Sequence, residues 1–177
     1  MRIFISMDIP EEIKNEIVKI QDSLPEFEGK ITEKENLHLT LKFLGEVNKE
    51  KLELVKEYLM RFSIKVKNFE AIIDDIGIFS ERSVRIVWLH VSNCDELQKS
   101  VDEALSNLFE KEKRFMAHLT IARVKKIKDK KLFIKQLKKI KIPKLKFSVN
   151  NFKLKESILE KNGPKYRDIM TYNLIGD

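Results

Sequence analysis

The stretch "HLTLKFLG" at residues 38–45 is followed, eighty residues further along the chain, by "HLTIARVK" at residues 118–125. The chain contains three histidines, and two of them begin these near-identical segments. The chain has 19 Leu and 4 Thr. Given one His-Leu-Thr tripeptide, the chance that Leu and Thr also follow one of the two other histidines is therefore about 1 in 200. The repetition therefore indicates two related halves of the chain.

Both segments have the alternation of a β-strand, in which residues i and i+2 share a face. His38 and Thr40, followed by Lys42, then point to one side of the first strand, and His118 and Thr120 point to one side of the second. The residues between them are apolar and can seal a core: Leu39, Leu41, Phe43, Leu119 and Ile121. We expect the two His-Thr pairs to lie on the polar faces of equivalent strands and to form one shared site.

Segments with a period of two alternate with segments of period near 3.6 along the whole chain. The pattern predicts helices between Pro10 and Pro25 and at residues 49–62, 93–111 and 129–140. It predicts strands at residues 2–8, 37–45, 69–79, 83–91, 117–124, 146–159 and 168–175, with turns at 80–83 and 161–166. This order predicts an α+β fold: one two-lobed, pseudo-symmetric domain spanning 1–177, with two antiparallel β-sheets lining a central cleft and helices outside.

The composition excludes several classes of protein. The hydrophobic fraction of 42% is ample for a folded core, and no apolar run approaches the roughly 20 residues that cross a bilayer. The first residues, "MRIFISMDIP", lack the long apolar stretch of a secretory signal. Cys94 is the only cysteine, which excludes an internal disulfide and is compatible with a reducing compartment. We therefore expect a cytoplasmic protein that does not bind membranes.

The net charge of +7 is concentrated in residues 125–146, which hold eleven Lys and one Asp, a local charge of +10. The rest of the chain sums to 7 − 10 = −3. A basic segment on a mildly acidic body favours a phosphate-rich partner. Alternatively, the helical spacing of Phe133, Leu137 and Ile140 predicts an amphipathic helix whose lysines form a solvated face.

The third histidine, His90 in "VWLHV", has no threonine two residues on and no counterpart elsewhere, so we interpret it as structural. The sequence shows no compact group of His, Cys and carboxylate residues with metal-ligand spacing, and "NCDE" at 93–96 is better interpreted as the start of a helix. We expect no metal and no cofactor.

Four stretches carry a resemblance to a known family: "MRIFISMDIP", "ENLHLTLKFLGEV", "FMAHLTIARVK", and "LKESIL" followed by "NGPKY". They are similar to the RNA 2′,3′-cyclic phosphodiesterases, also called 2′-5′ RNA ligases, of the two-histidine (2H) phosphoesterase superfamily, which is defined by a pair of H-x-[ST]-x motifs. The resemblance spans essentially the whole chain, although Ala117 stands where the family usually has proline. It implies metal-independent hydrolysis of RNA 2′,3′-cyclic phosphate ends to 2′-phosphates, and a reverse reaction that joins RNA through a 2′-5′ linkage.

Imidazole suits this chemistry because its ordinary pKa of about 6.5 makes both the acid and the base form accessible near neutrality. By resemblance, His38 protonates the leaving 3′-oxygen and His118 accepts the proton of the attacking water, although the residues themselves do not distinguish the two roles. Thr40 and Thr120 share a face with their histidines and are expected to donate to phosphoryl oxygens. Simple strand propensity is the alternative explanation for both threonines.

Two further residues are predicted to contact the substrate. Arg123 matches an arginine that the family places after its second motif, as a phosphate clamp. Strict alternation puts Arg123 opposite to His118, so it reaches the cleft only if the strand bends there, and is otherwise a surface charge. Phe4 lies with Arg2, Ser6 and Asp8 on one side of the first strand, where it either stacks on a base or packs in the core.

The expected partner is RNA with a 2′,3′-cyclic phosphate end, tRNA fragments included, and we expect a monomer without an obligatory protein partner. Within the same superfamily, the substrate could instead be a small cyclic nucleotide such as ADP-ribose cyclic phosphate, or the enzyme could trim RNA ends as an exonuclease. A non-catalytic RNA-binding module that uses residues 125–146 is the alternative from another class. The sequence does not identify the physiological RNA, the role of the lysine-rich segment, or the direction of reaction used in the cell.

Overall fold

The computed structural model describes residues 1–63 and 65–176. Its strands are β1 (Arg2–Asp8), β2 (Glu28–Ile31), β3 (His38–Glu46), β4 (Phe69–Ile78), β5 (Ile86–Ser92), β6 (His118–Lys126), β7 (Leu145–Val149), β8 (Asn151–Glu160) and β9 (Gly163–Asn173). Its helices are α1 (Glu11–Asp22), α2 (Lys49–Ser63), α3 (Asp95–Ala104) and α4 (Lys130–Leu137), and a 3-10 turn covers Lys34–Asn36. In the described residues, no helix is long and apolar enough to cross a membrane.

The strands form two sheets, one with the order β3-β1-β8-β9 and the other with the order β2-β6-β5-β4-β7. All strand pairs within the two sheets are antiparallel. Strand β3 of the first sheet contacts β6 of the second, so the two strands that carry the repeated motif lie side by side where the sheets meet. The predicted α+β fold with two antiparallel sheets around a cleft is confirmed.

Helices α1, α2 and α3 pack against β6, β9 and β3, respectively. Helix α1 buries one apolar stripe at helical spacing, made of Ile13, Ile17 and Ile20. At its end the buried Gln21 side chain donates from Nε2 to the carbonyl oxygens of Thr32 and Ile121, both at 2.9 Å. These hydrogen bonds fix α1 behind β6, at the level of the second motif.

Strands β3 and β6 share one irregularity that was not predicted from the sequence. Along both strands, the pattern of buried and exposed residues is the same for all nine positions. The pairing of β3 with β1 skips Leu41, and the pairing of β6 with β5 skips Ile121. Such a β-bulge reverses the alternation of the residues that follow it. Phe43 and Arg123 therefore emerge on the same face as the histidine of their strand.

Lys42 follows this bulge and points into the protein rather than to the cleft, so the prediction that it shares a face with the first histidine is wrong. Its side chain is 3% exposed, and Nζ pairs with the carboxylate of Asp102 on α3 and donates to the carbonyl oxygen of Glu110 at 2.7 Å. Ala122 takes the equivalent buried position in β6. The ion pair therefore fixes α3 behind β3.

One predicted strand, at residues 146–159, is in fact two strands in different sheets. β7 pairs with β4 in the five-stranded sheet, and after Asn150 the chain enters the four-stranded sheet as β8, between β1 and β9. Both parts keep a period of two, so the alternation does not reveal the change of sheet. This crossing connects the two lobes directly.

Other parts of the prediction also differ from the structure. The helix predicted at 93–111 ends at Ala104, because the Ser106 hydroxyl and backbone N–H both donate to the carbonyl oxygen of Glu103 and replace the next helical turn. The turn predicted at 161–166 is shorter, since β9 already begins at Gly163. Strand β2, with the exposed sequence "EGKI", is absent from the prediction because it has no apolar alternation.

Candidate active site

A cavity of about 550 Å³ lies between the two sheets, and residues from both sheets line it. Its wall includes all four motif residues: His38, Thr40, His118 and Thr120. The structure therefore brings together two histidines that are eighty residues apart in sequence. This convergence is the geometric condition for a shared site.

Both imidazole rings are held by the same local hydrogen bond. Nδ1 of His38 lies 2.7 Å from the carbonyl oxygen of Asn36, and Nδ1 of His118 lies 2.8 Å from the carbonyl oxygen of Met116. A carbonyl oxygen only accepts, so each Nδ1 carries a proton and donates it. In the neutral ring Nε2 is then left with its lone pair, and it is the nitrogen available for proton transfer in both rings.

Thr40 contacts the working nitrogen of its own histidine. Its Oγ1 lies 3.1 Å from Nε2 of His38, close enough for the hydroxyl to donate to the neutral ring. Thr120 occupies the equivalent position of β6 and also lines the cavity. The two hydroxyls thus stand where they can reach a group bound between the histidines.

His38 lies in an apolar aromatic environment. Its ring centroid is 5.2 Å from that of Phe4 and 4.9 Å from that of Tyr166, whose ring meets it edge-on. The pKa of His38 is lowered to about 4, and burial is the largest cause. The positive charges of Lys155 and Arg123 also lower this pKa, whereas the hydrogen bond to the Asn36 carbonyl and the charge of Asp8 raise it. In the free protein at neutral pH, the His38 ring is therefore uncharged.

The ring of His118 has a different neighbour. Phe79 meets it edge-on with centroids 5.0 Å apart, and Phe79 is 55% exposed. Phe79 also contacts Trp88, at 5.7 Å between centroids. The His118 ring therefore packs on an exposed aromatic residue, whereas Phe4, which packs on the His38 ring, is buried.

The structure places Arg123 in the cavity wall, because the bulge at Ile121 reverses its parity. Phe4 also lines the cavity, but it is 3% exposed, and its ring packs on His38, Tyr166 and Phe43. Of the two interpretations offered for Phe4, these contacts favour packing that positions His38 over stacking on a base.

Three residues near the histidines were missed by reasoning from the sequence. Tyr166 belongs to "NGPKY", which the sequence assigns to a turn and which is informative only through the family resemblance. Strict alternation directs Phe43 toward the core, yet it is 66% exposed in the cavity wall. Phe79 is the last residue of an apolar run, and nothing in the sequence relates it to His118.

His90 is the direct neighbour of His118 across the β5–β6 pair, and Nδ1 of His90 lies 2.6 Å from the carboxylate of Asp74. Asp74 also accepts a hydrogen bond from the hydroxyl of Ser92. In residues 1–63 and 65–176, no group of three or more His, Cys, Asp or Glu side chains is placed to hold a metal ion.

The lysine-rich segment 125–146 runs through the end of β6, through α4 and into β7. Asp129 caps α4 by accepting from the N–H of Leu132 at 2.9 Å, and Phe133 and Leu137 are buried. The predicted amphipathic helix is therefore present, although it spans Lys130–Leu137 rather than 129–140. Its lysines are largely exposed.

The sequence matches the family described as LigT like Phosphoesterase over residues 7–88 and 91–166. It is 40% identical to the RNA 2′,3′-cyclic phosphodiesterase of Methanocaldococcus jannaschii over 174 residues, which is 96% of this chain and 98% of the relative. It is 36% identical to the protein of the same name from Thermotoga maritima, over 94% of this chain and 92% of the relative.

Solved structures agree with this match. A crystal structure of TT0787 from Thermus thermophilus superposes with a TM-score of 0.84 at 26% identity, covering 100% of both chains. Escherichia coli LigT complexed with 3′-AMP superposes with a TM-score of 0.78 at 26% identity, covering 98% of this chain and 97% of the other. Fold, site and sequence together define a two-histidine phosphoesterase. Within that superfamily, the chain belongs to the LigT-like phosphoesterase family.

Proposed function

We propose that this protein hydrolyses the 2′,3′-cyclic phosphate at the end of an RNA to a 2′-phosphate, using His38 and His118 as an acid-base pair. One observation carries the proposal: both rings donate from Nδ1 to a carbonyl oxygen two residues upstream, which leaves Nε2 as the nitrogen for proton transfer in both rings, within one cavity. The relatives named RNA 2′,3′-cyclic phosphodiesterase support this substrate and class of hydrolase.

The reaction needs one proton removed and one supplied. Nε2 of His118 takes a proton from water as its oxygen attacks phosphorus. The bond from phosphorus to the 3′-oxygen breaks, and Nε2 of His38 gives its proton to that oxygen. The products are a 3′-hydroxyl and a 2′-phosphate, and exchange with solvent restores both rings.

The low pKa of His38 in the free protein fits the donor role only when substrate is bound. A ring that is neutral at neutral pH carries no second proton to donate. An anionic phosphate beside the ring favours its charged form and raises its pKa, so His38 becomes an acid when the reacting group is present. Substrate binding and proton uptake are therefore coupled.

Thr40, Thr120 and Arg123 are suited to stabilise the charge that builds on the phosphoryl oxygens. The two hydroxyls line the cavity from opposite sheets, and the guanidinium of Arg123 lines the same cavity, near enough to His38 for its charge to lower the His38 pKa. Donors that are already positioned cost little reorganisation as the charge develops. Arg123 also offers a planar fork that matches two phosphate oxygens.

We further propose that the protein acts as a cytoplasmic monomer on RNA ends, tRNA fragments included, and that it also joins RNA through a 2′-5′ linkage. In joining, a 5′-hydroxyl takes the place of the attacking water, so His118 accepts its proton and His38 again protonates the leaving 3′-oxygen. Water at about 55 M competes with any joining reaction, so joining requires that the second RNA end be held in place.

The test uses a labelled RNA that ends in a 2′,3′-cyclic phosphate. We expect the wild-type protein to form a 2′-phosphate end, and His38→Ala and His118→Ala each to lower turnover by a factor of at least about 100 with little change in RNA affinity. His90→Ala is the matched control, since His90 lies beside His118 but does not line the cavity. A 3′-phosphate product would reverse the leaving group, and unchanged turnover in both variants would refute the proposal.

The same assay distinguishes the alternatives. A small cyclic nucleotide phosphodiesterase would turn over a mononucleotide cyclic phosphate as fast as the RNA. An RNA-binding module would bind without turnover, with an affinity that follows the lysines of 125–146 and falls steeply with salt.

A further inference from the structure

A second pocket is lined by Phe79, the residue whose ring meets His118 edge-on. Its volume is about 220 Å³, and strands β4 and β5, the turn after β4, and α4 surround it. Phe79 and Trp88 form its aromatic wall, and Ile134 and Leu137 of α4 form the opposite wall. At this size, below the roughly 300–1,000 Å³ of sites for drug-sized ligands, it suits a single aromatic ring system.

The aromatic wall of the second pocket depends on a glycine. Gly77 pairs with Trp88 across β4 and β5, and a Cβ at Gly77 would lie 2.5 Å from the indole ring. The absence of a side chain lets the indole lie against the backbone of β4. Trp88 is thereby held flat at the wall, next to Phe79.

The position of this pocket relative to the reaction identifies its occupant. In an in-line displacement, the leaving oxygen and the attacking oxygen lie on opposite sides of phosphorus. The ribose that bears the cyclic phosphate belongs with the leaving oxygen, on the side of His38. Whatever is attached to the attacking oxygen lies on the side of His118, and the group next to that ring is Phe79.

We propose that the second pocket holds the 5′-terminal nucleoside of an RNA that carries a 5′-hydroxyl, which is the attacking strand in 2′-5′ joining. This inference rests on the proposed function and names the second substrate of the same site. The 5′-oxygen attacks phosphorus and its proton passes to Nε2 of His118, while the bond to the 3′-oxygen breaks and that oxygen takes the proton of His38. No co-reactant is needed, because the cyclic diester supplies the bond energy.

The charges around the pocket fit a nucleic acid strand. Lys138 pairs with Glu81 at 2.7 Å, and Lys130 donates to the carbonyl oxygen of Arg82 at 2.9 Å, so α4 is fastened to the turn at the pocket mouth. Lys131 and Lys135, one helical turn apart, are exposed beside it. The phosphates that follow the first nucleoside would run along this helix, which gives the lysine-rich segment a role in RNA binding.

Holding the attacking end explains how joining could compete with water. Stacking between a base and aromatic side chains persists regardless of base identity, because every base has a π-face. A nucleoside anchored behind Phe79 places its 5′-oxygen near His118 at an effective concentration far above that in solution. The pocket should therefore affect joining and leave hydrolysis unchanged.

The test is a competition in one tube. A labelled RNA with a 2′,3′-cyclic phosphate is mixed with a 5′-hydroxyl RNA, and the joined and hydrolysed products are measured as the second RNA is increased. Ile134→Phe fills the pocket from α4, and Leu132→Phe adds the same ring on the exposed side of the helix, where Leu132 is 48% exposed. We expect Ile134→Phe to lower the ratio of joined to hydrolysed product about tenfold, as loss of one base stack does, and Leu132→Phe to leave it unchanged.

The outcomes separate the two proposals. Wild-type hydrolysis with no joined product, or an unchanged product ratio in Ile134→Phe, overturns the pocket proposal and leaves the hydrolase. Absence of wild-type hydrolysis overturns both. If Ile134→Phe does not fold, the double variant Lys131→Glu, Lys135→Glu is measured instead. In this variant the KM for the 5′-hydroxyl RNA should rise and should depend less on salt, while the rate of hydrolysis should stay the same. An unchanged KM in that variant also overturns the pocket.

Discussion

Replacing His38 by glutamine should remove a specific pH dependence of stability. Burial lowers the pKa of His38 from 6.5 to about 4, so the unfolded chain binds a proton between these values that the folded protein does not. The free energy of unfolding must therefore fall as the pH falls through this window. A shift of this size corresponds to about 3 kcal/mol, at about 1.4 kcal/mol for each pH unit.

The measurement is denaturant unfolding of wild type and His38→Gln at several pH values between 7 and 4. Other groups titrate in both proteins, so the difference between the two curves isolates His38. We expect the wild type to lose about 3 kcal/mol more than the variant over this range. NMR titration of the His38 ring should give a midpoint near pH 4 that rises when a nucleoside 2′-phosphate is added. Parallel stability curves, or a midpoint at 6.5 in the free protein, would refute the account of His38 and the coupling of its protonation to substrate binding.

Other substitutions test other parts of the site. Arg123→Met should lower kcat/KM for cyclic-phosphate RNA by about 10- to 100-fold, the range for a lost charged hydrogen bond. Lys126→Met, an exposed control in the same strand, should change kcat/KM by no more than about twofold. Equal effects of the two substitutions would show that Arg123 acts only as a general surface charge. Lys42→Met leaves the buried carboxylate of Asp102 without its cation and should cost about 3–5 kcal/mol of unfolding free energy. Adding Asp102→Leu should recover part of that loss, and no recovery would show that the pair itself is not the cause. Tyr166→Phe keeps the ring against the imidazole of His38 and should retain most activity, whereas Tyr166→Ala should lose about tenfold in kcat. Equal losses in the two variants would assign the role to the hydroxyl.

The sequence predicted those parts of the fold that depend on local periodicity. The alternation around the two motifs and the helical spacing of Ile13, Ile17 and Ile20 both correspond to elements of the structure. Because a strand that changes sheets keeps its period of two, the break at Asn150 could not be predicted. The exposed β2 carries no apolar pattern at all. The features that could not be predicted from the sequence are therefore those that depend on pairing with distant strands.

The candidate site likewise has features that could be predicted from the sequence and features that could not. The convergence of His38 and His118 followed from the repeat, because equivalent strands of two related halves meet where the sheets join. The positions of Phe43 and Arg123 did not follow, because a bulge is a property of the pairing between two strands and not of either sequence alone. The nearest indication of the bulge in the sequence was the repeat itself, because a bulge in one motif strand is expected at the equivalent position of the other.

The two halves share one scaffold and differ at the position that emerges into the cleft after the bulge. Each supplies a histidine, a threonine two residues later, and a bulge, so the residue five positions after the histidine emerges into the cleft. That residue is Phe43 in β3 and Arg123 in β6, and both line the cavity. The charge of Arg123 also reaches His38, whose pKa it lowers. A nucleotide has the same asymmetry, with an apolar base at one end and a charged phosphate at the other. Under the proposed mechanism, Phe43 contacts the nucleoside and Arg123 the phosphate, so the two residues at equivalent positions serve the two ends of one substrate.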